Sequence, residues 1–209
     1  MENALVILCG GDSSRMGSDK ALLPFGNCCL IEYLVHKFEP YFPKIYLSVK
    51  QKGIYSHLHL KVREISDIYL NAGPLAGVFS TLSMIDEEKA FYISIDTPFV
   101  NPELAAYLLE KSASYDICTI QQNQETMEVL STVYSKSCIT KLGKCLLLRQ
   151  YSLENAQNKC KTLCIPEEEL KQEFPPSFDI QFFSLDTRSS YYQALQHLAA
   201  LEGPSVFLD

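Results

Sequence analysis

The apolar run Ala4-Leu5-Val6-Ile7-Leu8 passes directly into Cys9-Gly10-Gly11 and then into a polar stretch that ends at Arg15, Gly17 and Lys20. An uninterrupted apolar run of this kind, closed by glycines, reads as a strand buried on both faces. Strand-like and helix-like segments then alternate. Leu30 to Phe38 has helical spacing, with Leu30, Leu34, Val35 and Phe38 on one face. Lys44 to Val49 and Lys61 to Ile65 read as strands, and Leu75 to Ile85 as a helix opening after Gly73-Pro74. Ala90 to Ile95 is a fourth strand, Asn101-Pro102 opens a helix through Leu109 with Asn101 as its N-cap, and Asp116 to Gln121 is a fifth strand. This rhythm predicts an α/β fold: a mostly parallel sheet with helices on both faces.

Beyond Gln121 the pattern loosens. Val129 to Tyr134, Lys161 to Ile165 and Gln181 to Leu185 read as strands, and Lys136 to Gln150 as a helix with Gly143 in its interior. Pro166 to Asp179, with three glutamates and Pro175-Pro176, reads as a solvated excursion. Thr187 to Glu202 is a closing amphipathic helix, stopped at Gly203-Pro204. There is no internal repeat and no linker, so the 209 residues are expected to form a single domain, 1–209.

Charge and cysteine usage exclude several classes. A net charge of −7 argues against a nucleic-acid-binding surface, so an anionic ligand has to be met by local groups. No apolar run approaches the roughly 20 residues that span a bilayer, and the acidic opening Met1-Glu2-Asn3 does not read as a signal peptide. The eight cysteines include no CxxC pair. They are expected to be buried free thiols, with Cys28-Cys29 in a helical segment, which fits a cytoplasmic location. His57 and His59 would share one face of a strand, without a third ligand nearby to make a metal site.

Three motifs carry chemistry. The first is the glycine-rich run from Leu8 to Lys20. Its backbone N–H groups at Gly10 and Gly11 can converge on phosphate oxygens, with Arg15 as a planar fork and Lys20 as a mobile charge; the bland alternative is a glycine turn with solvated charges. The second is Ser94-Ile95-Asp96-Thr97-Pro98, where a strand delivers Asp96 at its carboxyl end. A carboxylate there suits Mg²⁺, or simply caps the next turn. The third is Ser66-Asp67 followed by Gly73-Pro74-Leu75-Ala76-Gly77. Asp67 could accept a hydrogen bond from a sugar hydroxyl or a base N–H, or be a solvated loop residue.

In this order the glycine-rich run with its RMGxDK pattern, GPLAG and the Asp96-Thr97-Pro98 triplet resemble the molybdenum cofactor guanylyltransferases, from Ala4 to about Val100 and more weakly near the end. The resemblance implies a three-layer α/β/α, Rossmann-like nucleotidyltransferase fold with a nucleotide-binding part over about 1–100 and an acceptor-binding part over about 101–209. It implies transfer of GMP from GTP to molybdenum-molybdopterin, with pyrophosphate released. Leu8, Cys9, Gly10, Gly11, Lys20 and Asp67 would bind the nucleotide, Asp96 would hold Mg²⁺, and Arg15, Lys20 and Asp96 would carry catalysis. The implied partners are GTP, molybdenum-molybdopterin and a protein that delivers or receives the labile cofactor, with neither nucleic acid nor membrane. This chain departs from the family at Cys9, at Ser48 (often Asn) and at Ser184-Leu185-Asp186-Thr187-Arg188, which replaces the pattern NxNTP. The alternatives are a relative using CTP or a sugar phosphate, and a non-catalytic nucleotide-binding adaptor on the same fold.

Overall fold

The structure, a computed structural model, describes residues 3–10, 19–121, 130–174, 178 and 180–203. Its main sheet is built from β1 (Ala4–Leu8), β4 (Lys44–Val49), β5 (Arg63–Ser66), β6 (Lys89–Ser94), β7 (Ile117–Gln121), β8 (Thr132–Ser135) and β9 (Thr162–Pro166). The strand order is β5-β4-β1-β6-β8-β7-β9. The neighbours β5/β4, β4/β1, β1/β6 and β7/β9 are parallel, and β8 runs antiparallel to both strands beside it. A small antiparallel ribbon, β2 (Pro24–Phe25) with β3 (Cys28–Cys29), precedes the first helix.

The predicted burial of β1 on both faces is what divides the core. Leu5 and Ile7 point to one side, where they pack with Leu34, Phe38, Phe91, Leu104 and Leu198. Ala4, Val6 and Leu8 point to the other, with Leu75, Val78, Tyr92, Tyr134 and Leu142. The first side is covered by α1 (Leu30–Phe38), α3 (Pro102–Lys111), α6 (Glu167–Glu173) and α7 (Arg188–Glu202). The second is covered by α2 (Pro74–Met84), α4 (Ile139–Leu147) and α5 (Leu153–Gln157). The result is a three-layer α/β/α sandwich with a mostly parallel sheet, as the alternation predicts.

Several caps do what their residue types suggest. The Asn101 side chain accepts from the Glu103 N–H at 2.8 Å, and Thr187 Oγ1 accepts from the Ser190 N–H at 3.1 Å. Gly143 has a packing role in α4: a Cβ there would meet the Phe79 ring of α2 at 3.1 Å, so its absence lets the two helices lie close.

Some expectations are corrected. Cys28-Cys29 is β3 rather than helix, and Cys29 is the N-cap of α1, its N–H donating to Glu32 Oε2 at 2.9 Å. His57 and His59 are not on a strand: Ser56–Leu58 is a 3₁₀ turn and His59 has φ 53°. The helix read over Lys136 to Gln150 is shorter, a 3₁₀ turn Lys136–Cys138 followed by α4. Part of the supposed excursion is α6, which buries Leu170 and pairs Lys171 with Glu167 at 2.7 Å one turn apart. Gln181 to Leu185 forms turns rather than a strand; Gln181 and Phe183 donate to the carbonyls of Phe178 and Ile180. All eight cysteines are free, but only Cys118, Cys138 and Cys145 are fully buried.

The far half of the sheet is tied together at Asp116. Its carboxylate accepts from Ser137 Oγ at 2.6 Å, Lys141 Nζ at 2.8 Å and the Lys161 N–H at 3.0 Å. Burial opposes the charge, but these three donors outweigh it and bring the carboxyl down to about 2. A lowered carboxyl contributes stability above its ordinary value near ~4 and loses it as pH falls through the folded value. Asp116→Asn is therefore expected to lower the melting temperature at neutral pH. The gap to the wild type should close as pH is taken from about 4 toward 2 in a series of melts.

Candidate nucleotide site

The strand order reverses between β1 and β6: from β1 the chain builds outward through β4 and β5, and β6 lies on its other side. A crevice at the carboxyl ends of the strands follows from that reversal. A cleft of about 760 Å³ occupies it, lined by residues from the ends of β1 (Leu8, Cys9, Gly10), β4 (Ser48, Lys50), β5 (Asp67) and β6 (Ser94, Ile95, Asp96). The β5–α2 connection, Tyr69 to Pro74, forms one wall, and Gly77 lies under the floor. Asp19, Lys20, Leu130 and Asp186 complete the lining.

The backbone of the β1 end is pinned on both sides. The Cys9 N–H donates to the Ser48 carbonyl at 2.9 Å, and the Leu8 carbonyl accepts from the Ile95 N–H at 3.1 Å. Packing around the Cys9 thiol, then the nearby charges of Asp19 and Glu64, push its pKa well up, so it presents a neutral surface to the cleft. Asp19 caps the 3₁₀ turn Lys20–Leu22 through the Ala21 N–H at 3.0 Å and accepts from Tyr55 OH at 2.9 Å. That turn aims Lys20 across the cleft.

Lys20 Nζ lies 3.0 Å from Asp96 Oδ2 and 3.5 Å from Asp186 Oδ1. The first and second sequence motifs thus meet at one point, although 76 positions separate Lys20 from Asp96. Asp96 is held there by its own turn and by the C-terminal segment: Thr97 Oγ1 donates to the Ser94 carbonyl at 3.0 Å, and the Leu185 N–H donates to the Asp96 carbonyl at 2.9 Å. The latter bond brings the neighbouring Asp186 to the cleft.

On the opposite wall, Asp67 is anchored through its N–H to the Val49 carbonyl at 3.0 Å and through Oδ1 to Ser48 Oγ at 2.9 Å. Burial raises its pKa, against the Ser48 hydrogen bond and the charge of Lys50, which lower it.

Leu8, Cys9, Gly10, Lys20, Asp67 and Asp96 therefore all line one cleft. Gly11 and Arg15 lie outside the described residues. Sequence reasoning missed Lys50, the only other lysine in the lining among the described residues, and the nearness of Asp186 to Lys20. Lys50 stands two positions after Ser48 at the end of β4, and that strand-end location was the available signal. Asp186 was visible only as an altered residue of the C-terminal pattern.

The described lining sets four aspartates against two lysines. A triphosphate adds further negative charge, so it needs added positive charge to bind there. The donor set fits Mg²⁺, a hard cation that takes one or two carboxylates and fills its other positions with phosphate oxygens and water. Asp96 and Asp186 already approach one common cation, the Lys20 ammonium.

Comparison with known proteins agrees with this geometry. Residues 5–160 match the MobA-like NTP transferase domain. The chain is 34% identical to a probable molybdenum cofactor guanylyltransferase of Carboxydothermus hydrogenoformans, over 82% of this chain and 86% of that one. It is 30% identical to the protein of the same description from Pelotomaculum thermopropionicum, over 90% of each. Its fold matches the crystal structure of molybdopterin-guanine dinucleotide biosynthesis protein A from Archaeoglobus fulgidus with a TM-score of 0.82, at 21% identity, over 94% of this chain and 99% of that one. The chain belongs to the MobA-like NTP transferase family, in the branch of the molybdenum cofactor guanylyltransferases, and is a nucleotidyltransferase.

Proposed function

We propose that this chain transfers GMP from GTP to the terminal phosphate of molybdenum-molybdopterin, releasing pyrophosphate, in the cytoplasm. The observation that carries the reading is the 3.0 Å contact between Lys20 and Asp96 at the strand-order reversal, which brings the last residue of the glycine-rich run and a strand-end carboxylate together over one cleft. The nucleotide would lie over residues up to about 100, and the acceptor over the later part of the same domain, with Asp186 at the junction. A protein that hands over or receives the labile cofactor fits this scheme.

In the reaction an acceptor phosphate oxygen forms a bond to the α-phosphorus of GTP as the bond from that phosphorus to the bridging oxygen breaks and the electron pair leaves with pyrophosphate. The acceptor is already an anionic nucleophile, so no general base is needed. What the protein must supply is position and charge neutralisation. The Gly10 and Gly11 N–H groups and Arg15 would hold phosphate oxygens. Lys20 would exchange its carboxylate partners for phosphate. Asp96, with Asp186 opposite, would hold Mg²⁺, whose contribution when bound is to offset phosphate charge. Asp67 would accept a donor of the nucleoside.

Lys20→Ala separates the phosphate role from a general one. Calorimetric titration is expected to show Mg·GTP binding weakened about 10–100-fold, as loss of a charge-assisted contact implies, with guanosine binding nearly unchanged. Equal losses for both ligands would remove Lys20 from the phosphate site.

A further inference from the structure

The structure gives the buried Ser48 hydroxyl a specific task. Ser48 is almost fully buried, 1% exposed, at the end of β4, whose register sets it opposite Ile65, two residues before Asp67. Its Oγ donates to Asp67 Oδ1 at 2.9 Å. The backbone of Asp67 is independently fixed by its N–H on the Val49 carbonyl. Oδ2 is the other carboxylate oxygen. It accepts no hydrogen bond among the described residues and lies on the cleft side beside Gly10, where a Cβ would come within 3.3 Å of it. The space for the Ser48 hydroxyl is itself provided by a glycine, since a Cβ on Gly77 would stand 2.5 Å from Ser48 Oγ.

We propose that Ser48 is a positioning residue that engages Asp67 Oδ1 and so directs Oδ2, which no described residue engages, to an N–H or O–H donor on the nucleoside part of the bound nucleotide. The proposal rests on the functional reading above and deepens it. The hydrogen bond also favours the charged carboxylate, against the burial that disfavours it. Burial is the larger effect and leaves the Asp67 carboxyl above its ordinary value, with the Ser48 hydroxyl limiting the rise.

Two measurements test this. In the ligand-free protein, the Asp67 carboxyl is titrated by ¹³C NMR in the wild type and in Ser48→Ala. Loss of the donor is expected to raise the midpoint by about one pH unit. In the second, the affinities of Mg·GTP, guanosine and Mg·tripolyphosphate are measured for the wild type, Ser48→Ala, Asp67→Asn and the double variant. Ser48→Ala is expected to weaken Mg·GTP and guanosine about tenfold at neutral pH, to leave tripolyphosphate unchanged, and to have little further effect in the Asp67→Asn background. An unmoved midpoint would overturn the positioning role. So would a Ser48→Ala loss as large in the Asp67→Asn background as in the wild type, or one that falls equally on tripolyphosphate. A wild-type chain that binds neither Mg·GTP nor guanosine would sink the functional reading and the proposed ligand with it, while the NMR midpoint would still report whether Ser48 governs Asp67.

Discussion

Asp96→Ala is expected to lower Mg²⁺-dependent GMP transfer by about a hundredfold or more, the equivalent of roughly 3 kcal/mol of barrier for one preorganised charge contact. The fold is expected to survive the change. The side chain is 20% exposed, its only ion-pair partner among the described residues is Lys20, and the backbone of its turn is held by bonds that alanine retains. Lys20 would keep Asp186 as a partner. Pyrophosphate release followed in a coupled assay, with melting curves alongside, checks both halves. Full Mg²⁺-dependent activity in a folded variant would take the metal-holding role away from Asp96.

Gly77→Ala is the change expected to affect stability most. A Cβ there would lie 2.5 Å from Ser48 Oγ and 2.9 Å from Leu8 Cδ2, both in the buried floor of the cleft. Two effects compete. Alanine is the better helix former by about 1 kcal/mol, and overpacking costs about 1–3 kcal/mol. Moving Ser48 Oγ away would break its hydrogen bond to Asp67, and moving Leu8 Cδ2 would disturb the buried core around Leu75 and Val78, so the clash should win. A net loss of up to about 2 kcal/mol corresponds to a fall of up to roughly 8 °C in melting temperature for a chain of this size. Adding Ser48→Ala removes the closer contact and should restore part of the loss. A melting temperature at or above that of the wild type for Gly77→Ala alone would show that the floor yields.

The first half of the fold was readable because local signals there agree with tertiary needs. Strands buried on both faces show as continuous apolar runs, and Asn101 and Gly73-Pro74 mark helix starts by well-understood chemistry. The second half was harder because its backbone is satisfied in less regular ways. Gln181 to Leu185 has the apolar content of a strand, but its N–H groups go to turn carbonyls and to Asp96, and the Gln181 side chain accepts from the Asn101 N–H at 3.0 Å. The segment thereby braces the turn that carries Asp96. The glutamate-rich α6 looks solvated in sequence, yet three of its four glutamates, Glu167, Glu168 and Glu169, sit in the first turn, where the helix dipole favours them, and Leu170 anchors it.

Within the site, residue types and their strand-end positions were enough to select Lys20, Asp67 and Asp96. Their convergence followed from the rule that ligands gather at the carboxyl ends of strands near a reversal in strand order, whereas the contacts within the cleft, such as Lys20 with Asp96 at 3.0 Å, depend on how the strands assemble. The link from Asp186 to Lys20 likewise depends on the Leu185 hydrogen bond, which no spacing rule encodes. The same holds for the bond between Ser48 and Asp67, which exists only because β4 and β5 pair in parallel register.

The central claim is that the β1 loop and Asp96 together hold one metal-bound guanosine triphosphate for attack by molybdopterin. Pyrophosphate release measured with GTP and with CTP, each with Mg²⁺ and with or without molybdenum-molybdopterin, tests it most directly. Release is expected from GTP, requiring both Mg²⁺ and the acceptor and yielding the guanine dinucleotide. Release from CTP alone, or none from either nucleotide when the acceptor is supplied, would contradict it.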